Sequence, residues 1–291
     1  MSTKSYRGGN MGYKTDGSSH RNGVANEGNV VKILNNNRYA AEKLFPVLEG
    51  KTFKAQKKGG TKVKEDMIIT SANLDKPLKV SIKRKQGAKT GSFDWVNASK
   101  AYTDNKEMFP HIHDVAKEVE SIRELSSIGD REIHKERIRK EYKEASSREL
   151  DGLTEATSFL RDFLWEHFIK AYSDIDGVTV TDKKTGLLHK FDFMDHPAVR
   201  LLQKGYEPYL VSKDKKVATS RSIIFRKEGL EDEDHGLRIR LVTNNGIGAW
   251  LGCNEGRKNK NQNSRPVFKI QQDAVHKLLE STNAIVVKTG A

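Results

Sequence analysis

Between Gly59 and Gly87 the chain reads GGTKVKEDMIITSANLDKPLKVSIKRKQG, two short β-branched runs separated by a turn-rich SANLDKP. The pattern predicts strands over 66–70 and 78–83, joined as a hairpin. Successive strand residues face opposite sides, so Ser81 and Lys83 share one face while Ile82 takes the other. Asp66 heads the first strand and Lys83 ends the second. One face of the hairpin is thus free for polar chemistry and the other for a core.

The surrounding chain divides by composition. Residues 1–23, rich in Gly, Ser and basic side chains, are expected to be a flexible arm. The apolar spacing of Val30, Val31, Ile33, Leu34, Ala41 and Leu44 predicts helix over 26–34 and 37–45, which opens a core section at 24–110. The segment GAKTGSFDWVNASK reads as a loop leading into a helix. Residues 111–172, nearly free of Gly and Pro, predict a helical section broken near Gly129 and Gly152. From 173 to 291 the period becomes that of strands, predicted at 178–181, 187–193, 209–212, 222–226, 237–242, 249–251 and 267–270. Asn244, Asn245 and Gly246 suit a tight turn between strands. The acidic 228–236 stretch reads as a hairpin tip, 254–266 as a long basic loop, and a helix at 273–279 closes the fold. This β-rich part either completes the sheet of the core section or forms a nucleic-acid-binding lobe.

Fifty-two Lys and Arg oppose 39 Asp and Glu, a formal charge of +13. Such an excess favours a polyanionic partner, of which nucleic acid is the commonest. Cys253, the single cysteine, excludes an internal disulfide and a multi-cysteine zinc site, and points to a reducing, cytoplasmic setting. No run reaches the roughly 20 apolar residues of a membrane span. Neither GGNMGYKT nor GAKTGS has the spacing of a phosphate-binding Walker loop, so no nucleotide cofactor is expected.

Hydrolysis of a phosphodiester needs a divalent cation near the scissile phosphate and a positive group for the developing charge. Hard cations such as magnesium prefer oxygen ligands, which Asp66 supplies directly and Ile82 through its backbone carbonyl. Glu27, on the first predicted helix, is placed to reach the same ion. Lys83 faces that pocket and can stabilise the phosphorane or orient the water.

Glu27 on a helix, Asp66 at a strand start, and Ser81-Ile82-Lys83 ending the next strand resemble the PD-(D/E)XK nuclease superfamily. In particular, KEDMII followed by VSIKRKQG is similar to a subset of restriction and phage nucleases in which a small polar residue replaces the middle acid. The resemblance spans about 60 residues, Glu27 to Gly87. It implies an α/β fold with a mixed central sheet flanked by helices, here carrying a helical insertion. It also implies a deoxyribonuclease that uses Mg2+, with Mn2+ as a substitute, and cleaves double-stranded DNA to leave a 5′-phosphate. Site-specific restriction, with a homodimer compatible, is the leading role; a phage or repair nuclease, or a non-catalytic nucleic-acid binder, is the alternative. By position Asp66 is the metal-binding aspartate and Lys83 the catalytic lysine. Ser81 holds the place of the acid, and Glu65 replaces the proline before Asp66. Serine carries no charge, so either one metal suffices or Glu27 or Glu65 makes up the deficit; Glu65, next to Asp66 on a strand, should point away, which makes Glu27 the better candidate.

Duplex contacts are expected from Arg84, Lys85 and Lys89, next to the hairpin. A second set, Arg257, Lys258, Lys260, Asn261, Gln262 and Arg265, includes the side-chain types that read base edges. His111 and His113 lack the companion histidines of a binuclear site and read as helix-start residues. Cys253 has no activating neighbour and reads as packed.

Overall fold

A computed structural model of the chain describes residues 18–58, 64–86, 90–98, 106–199, 207–212, 221–226, 236–243, 246–253 and 265–289. It is a mixed α/β structure with two sheets.

Helix α1 (Ser18–Asn36) and helix α2 (Arg38–Leu44) come first. Of the segment expected to be a flexible arm, residues 18–23 are therefore helical, and 1–17 lie outside the described residues. The break at Asn37 has a local cause: its side-chain oxygen accepts from the Ala40 amide, capping α2.

Strands β1 (Lys54–Lys57), β2 (Met67–Thr70) and β3 (Leu78–Arg84) form an antiparallel meander. Beside β3 runs a parallel strand, β5 (Gly177–Asp182), followed outward by β6 (Leu187–Phe191) and β11 (Ile285–Lys288). Parallel neighbours need a long crossover, and here it is residues 85–176. Asp176 fixes its return: its amide donates to the Lys79 carbonyl and its carboxylate accepts from the Lys79 amide, both at 2.8 Å.

The crossover contains β4 (Ser92–Ala98), which belongs to a second, antiparallel sheet ordered β4-β10-β9-β8-β7. Its other strands are β7 (Glu207–Ser212), β8 (Arg221–Arg226), β9 (Leu237–Thr243) and β10 (Pro266–Asp273). The expected loop-to-helix segment is therefore largely a strand, in which Phe93 and Trp95 turn to the core and Asp94 between them turns to solvent. The crossover then continues through α3 (Pro110–Arg123), α4 (Ile128–Glu132), α5 (Lys135–Glu155) and α6 (Thr157–Leu164). A π-helical turn, Trp165–Ile169, carries α6 into a last turn, Lys170–Tyr172.

Gly129 and Gly152 themselves lie within α4 and α5, and the breaks fall close to them, at 124–127 and at Ala156. Ser127 caps α4 through the Asp130 amide. Glu149, buried in α5, accepts from the His111 and Ile112 amides at the start of α3. Residues 249–251, expected as a strand, fall mostly in helix α7 (Gly246–Trp250), so Gly246 opens a helix instead of closing a turn between strands. The closing helix is α8 (Val275–Ser281), and β11 follows it where no element was expected.

The first sheet buries both faces. On one, Met67, Ile69, Val80 and Ile82 pack against Val30 and Leu34 of α1 and Ala41 and Leu44 of α2. On the other, Val178, Val180 and Phe191 join the core shared by helices α3 to α6 and the second sheet. Among the described residues, no helix is long and apolar enough to cross a membrane.

Candidate functional site

The β2–β3 ladder ends at the pair Met67 and Val80, so β3 runs on past the start of β2. Asp66 fills that gap. Its Oδ2 accepts from the Ile82 amide at 2.6 Å and from the Ser81 hydroxyl at 3.1 Å. In a strand the N–H and C=O of one residue project to the same side, which aims the Ile82 carbonyl at the same edge. Ser81, fully buried, is thus the group that orients Asp66.

Burial pushes the Asp66 carboxyl above the usual carboxylate range; Lys83, the Ile82 amide and Ser81 pull against this, while Glu27 adds to it. Glu27 therefore lies close enough for its charge to be felt, although it comes from α1 and is separated from Asp66 by 39 positions. Its carboxylate is paired with Lys57, at the end of β1, at 2.7 Å. Lys57 in turn stands opposite Met67 in the sheet, which brings α1, β1, β2 and β3 to one corner.

Lys83 points away from Ile82, as strand alternation requires, into a wall of aromatic rings. Its ammonium is 5.7 Å from the Trp95 ring centroid and 5.6 Å from that of Tyr172. Burial alone would depress this lysine, but Tyr172, Asp66 and Asp94 outweigh it and hold the amine above its ordinary value. It remains a cation at neutral pH. Trp95 and Tyr172 are fixed in turn, since the Tyr172 hydroxyl donates to the Trp95 carbonyl at 2.9 Å and the rings meet edge to face at 5.3 Å.

Lys64 was not anticipated. Its ammonium lies 5.3 Å from the Tyr172 centroid, on a ring that also faces Lys83. Burial and then Lys83 lower its pKa, while Asp66 opposes them. Its position two residues before Asp66 was the available signal, whereas nothing local marks Tyr172, 89 positions beyond Lys83.

Asp66, Ser81, Ile82, Lys83 and Glu27 are thus brought together. The other expected contacts scatter. Arg84 faces the α1 side of the sheet, and Lys85, on the Lys83 side, is held by Asp182 at 2.9 Å. Arg265 lies exposed just before β10, on the second sheet. Lys89, Arg257, Lys258, Lys260, Asn261 and Gln262 lie outside the described residues. Cys253 is half-buried, and burial with the nearby Glu132 pushes its thiol up to about 11.

Among the described residues no group of three or more His, Cys, Asp and Glu side chains is placed to hold a metal, and His111 and His113 form none. The donors at the corner are nonetheless all oxygen, and Asp66 and Glu27 lie near enough to repel. Two carboxylates and a carbonyl suit magnesium, which keeps several waters and asks for few protein ligands. Comparison with known protein families, with curated protein sequences and with solved structures found no match to this chain.

Proposed function

We propose that the chain is a magnesium-dependent DNA endonuclease of the PD-(D/E)XK type, restriction-like in role, acting on double-stranded DNA. The observation that carries the reading is the convergence of Glu27, Asp66, the Ile82 backbone and Lys83 at one corner, although helix α1, the residue before β2 and strand β3 contribute them. The mixed sheet packed between helices and a second core is compatible with the fold that this type implies.

Asp66, Glu27 and the Ile82 carbonyl would hold the ion, and Mn2+ would substitute for it. When bound, magnesium polarises the scissile phosphate and makes a coordinated water more acidic. The chain's own residues do the rest. Ser81 and the Ile82 amide keep Asp66 in one orientation, so little reorganisation remains when substrate arrives. Lys83, protonated at neutral pH and fixed against two rings, supplies positive charge where the phosphorane gains negative charge. Because it holds its proton tightly, its role is electrostatic and not that of a base.

A second reading has its own support: Glu27 already has Lys57, and Asp66 already has Ser81 and Ile82, as in a structural corner of a non-catalytic nucleic-acid binder. Asp66→Ala and Lys83→Ala separate the two. Both variants are expected to lose magnesium-dependent cleavage while retaining duplex binding in calcium. Cleavage undiminished in both variants rules out the site as drawn.

A further inference from the structure

Where β3 and β5 end, on the side of the sheet that α1 covers, a cleft of about 330 Å³ opens between Asn22 of α1, Arg84 and the β5–β6 turn carrying Lys183 and Lys184. Its charge is not cancelled in place. Lys85 and Asp182, also in its lining, neutralise one another at 2.9 Å. Arg84, Lys183 and Lys184 are left, and among the described residues none of them has a carboxylate partner.

The interior polar groups are also unmatched. Arg84 Nε is shielded from solvent and has no hydrogen-bond partner among the described residues; nor has the Oγ1 of Thr181, which stands directly opposite Arg84 in the sheet. Buried donors without acceptors are costly and uncommon in folded proteins. Donors beside uncancelled cations are what an anion with several acceptor oxygens would satisfy.

We propose that this cleft is a phosphate-binding pocket, with Arg84, Lys183, Lys184 and Asn22 contacting the phosphate oxygens. Its assignment to a phosphate of the DNA strand rests on the nuclease reading; the binding of phosphate as such does not. Asn22 precedes Glu27 by five residues of α1, about 7.5 Å along the helix axis. Arg84 directly follows Lys83 on β3, so a phosphate held in the pocket lies on the strand close to the bond at Asp66 and Lys83. It sets the register of the strand at the cleavage corner.

The test is titration of the full chain with inorganic phosphate in metal-free buffer and, in calcium, with a short duplex bearing either 5′-phosphate or 5′-hydroxyl ends. The wild type is compared with Arg84→Ala, with Lys183→Ala/Lys184→Ala and with Asp66→Ala. The lysine pair is exposed, so that variant should fold even if Arg84→Ala does not. Loss of one charge-assisted contact corresponds to about tenfold weaker phosphate binding, expected for the Arg84 and lysine variants and not for Asp66→Ala. A drop confined to the 5′-phosphorylated duplex identifies a terminal phosphate, and an equal drop for both duplexes an internal one. No phosphate binding by the wild type, or undiminished binding by the folded lysine variant, overturns the pocket. Should Asp66→Ala still cut DNA while phosphate binding depends on Lys183 and Lys184, the nuclease corner fails and the pocket stands.

Discussion

The two sheets treat charge differently. On the second, polar side chains cancel in place: Arg238 pairs with Asp273 and Lys269 with Asp94, both at 2.9 Å, and Arg240 reaches Gln271. At the corner of the first, opposing influences are left in tension. Asp66 is raised by burial, Lys64 is lowered by it, and Lys83 is held up by its neighbours. Arg84 Nε at the strand end lacks a partner among the described residues, as does Arg226 Nε on β8 of the second sheet, so the difference lies in the shifted groups of the corner. A fold selected only for stability would pair such groups or remove them. The contrast therefore lies in the shifted Lys64, Asp66 and Lys83 at the corner of the first sheet, and perturbed groups concentrate at functional sites.

The largest expected effect lies where the sheets meet. Trp95 packs against Phe93, Phe168, Tyr172, Phe191, Phe193 and His196 and also walls Lys83. Trp95→Ala should cost about 3–5 kcal/mol in chemical denaturation. A loss well under that range would mean that the second sheet does not buttress the corner. Next is Glu149→Ala, which strands two amides at the start of α3 and should cost about 1–3 kcal/mol, with Glu149→Gln milder.

The part-buried pair Arg238–Asp273 is expected to show a coupling of about 1 kcal/mol in a double-mutant cycle. A coupling of several kcal/mol would erase the contrast drawn between the sheets. The smallest effect is opposite in sign. Because the folded-state pKa of Asp66 is raised, ionising it weakens the fold: the contribution is favourable below its ordinary range and lost as pH rises through the raised value. Asp66→Asn should therefore raise the melting temperature slightly at neutral pH without magnesium and leave it nearly unchanged in acid. By the same competition, magnesium affinity should fall as pH drops through that window.

The corner was legible in part. Strand alternation placed Ser81 and Lys83 together and Ile82 opposite, because a period of two is a local rule. Glu27 was reached through its charge, and α1 does carry it to Asp66. Tyr172 and Trp95 could not be placed, since the contact depends on a crossover of many helices returning to β3. For the same reason β4 was missed: its partner β10 lies some 170 residues later, while its own flanks are Gly-rich and basic. The run at 249–251 is too short for periodicity to separate strand from helix, and it folded as helix. Among the described residues β11 pairs with β6 alone, nearly a hundred residues earlier, and its short apolar run gave no firmer signal.

The most direct measurement is incubation of supercoiled plasmid with the wild type and with Lys83→Ala, in magnesium and in calcium, followed by sequencing of the ends. The expected result is 5′-phosphate ends from the wild type in magnesium alone, with cleavage by Lys83→Ala reduced about 10²–10³-fold and binding in calcium retained. An intact plasmid with the wild type, or cleavage by Lys83→Ala at the wild-type rate, would contradict the assignment of this corner as a nuclease site.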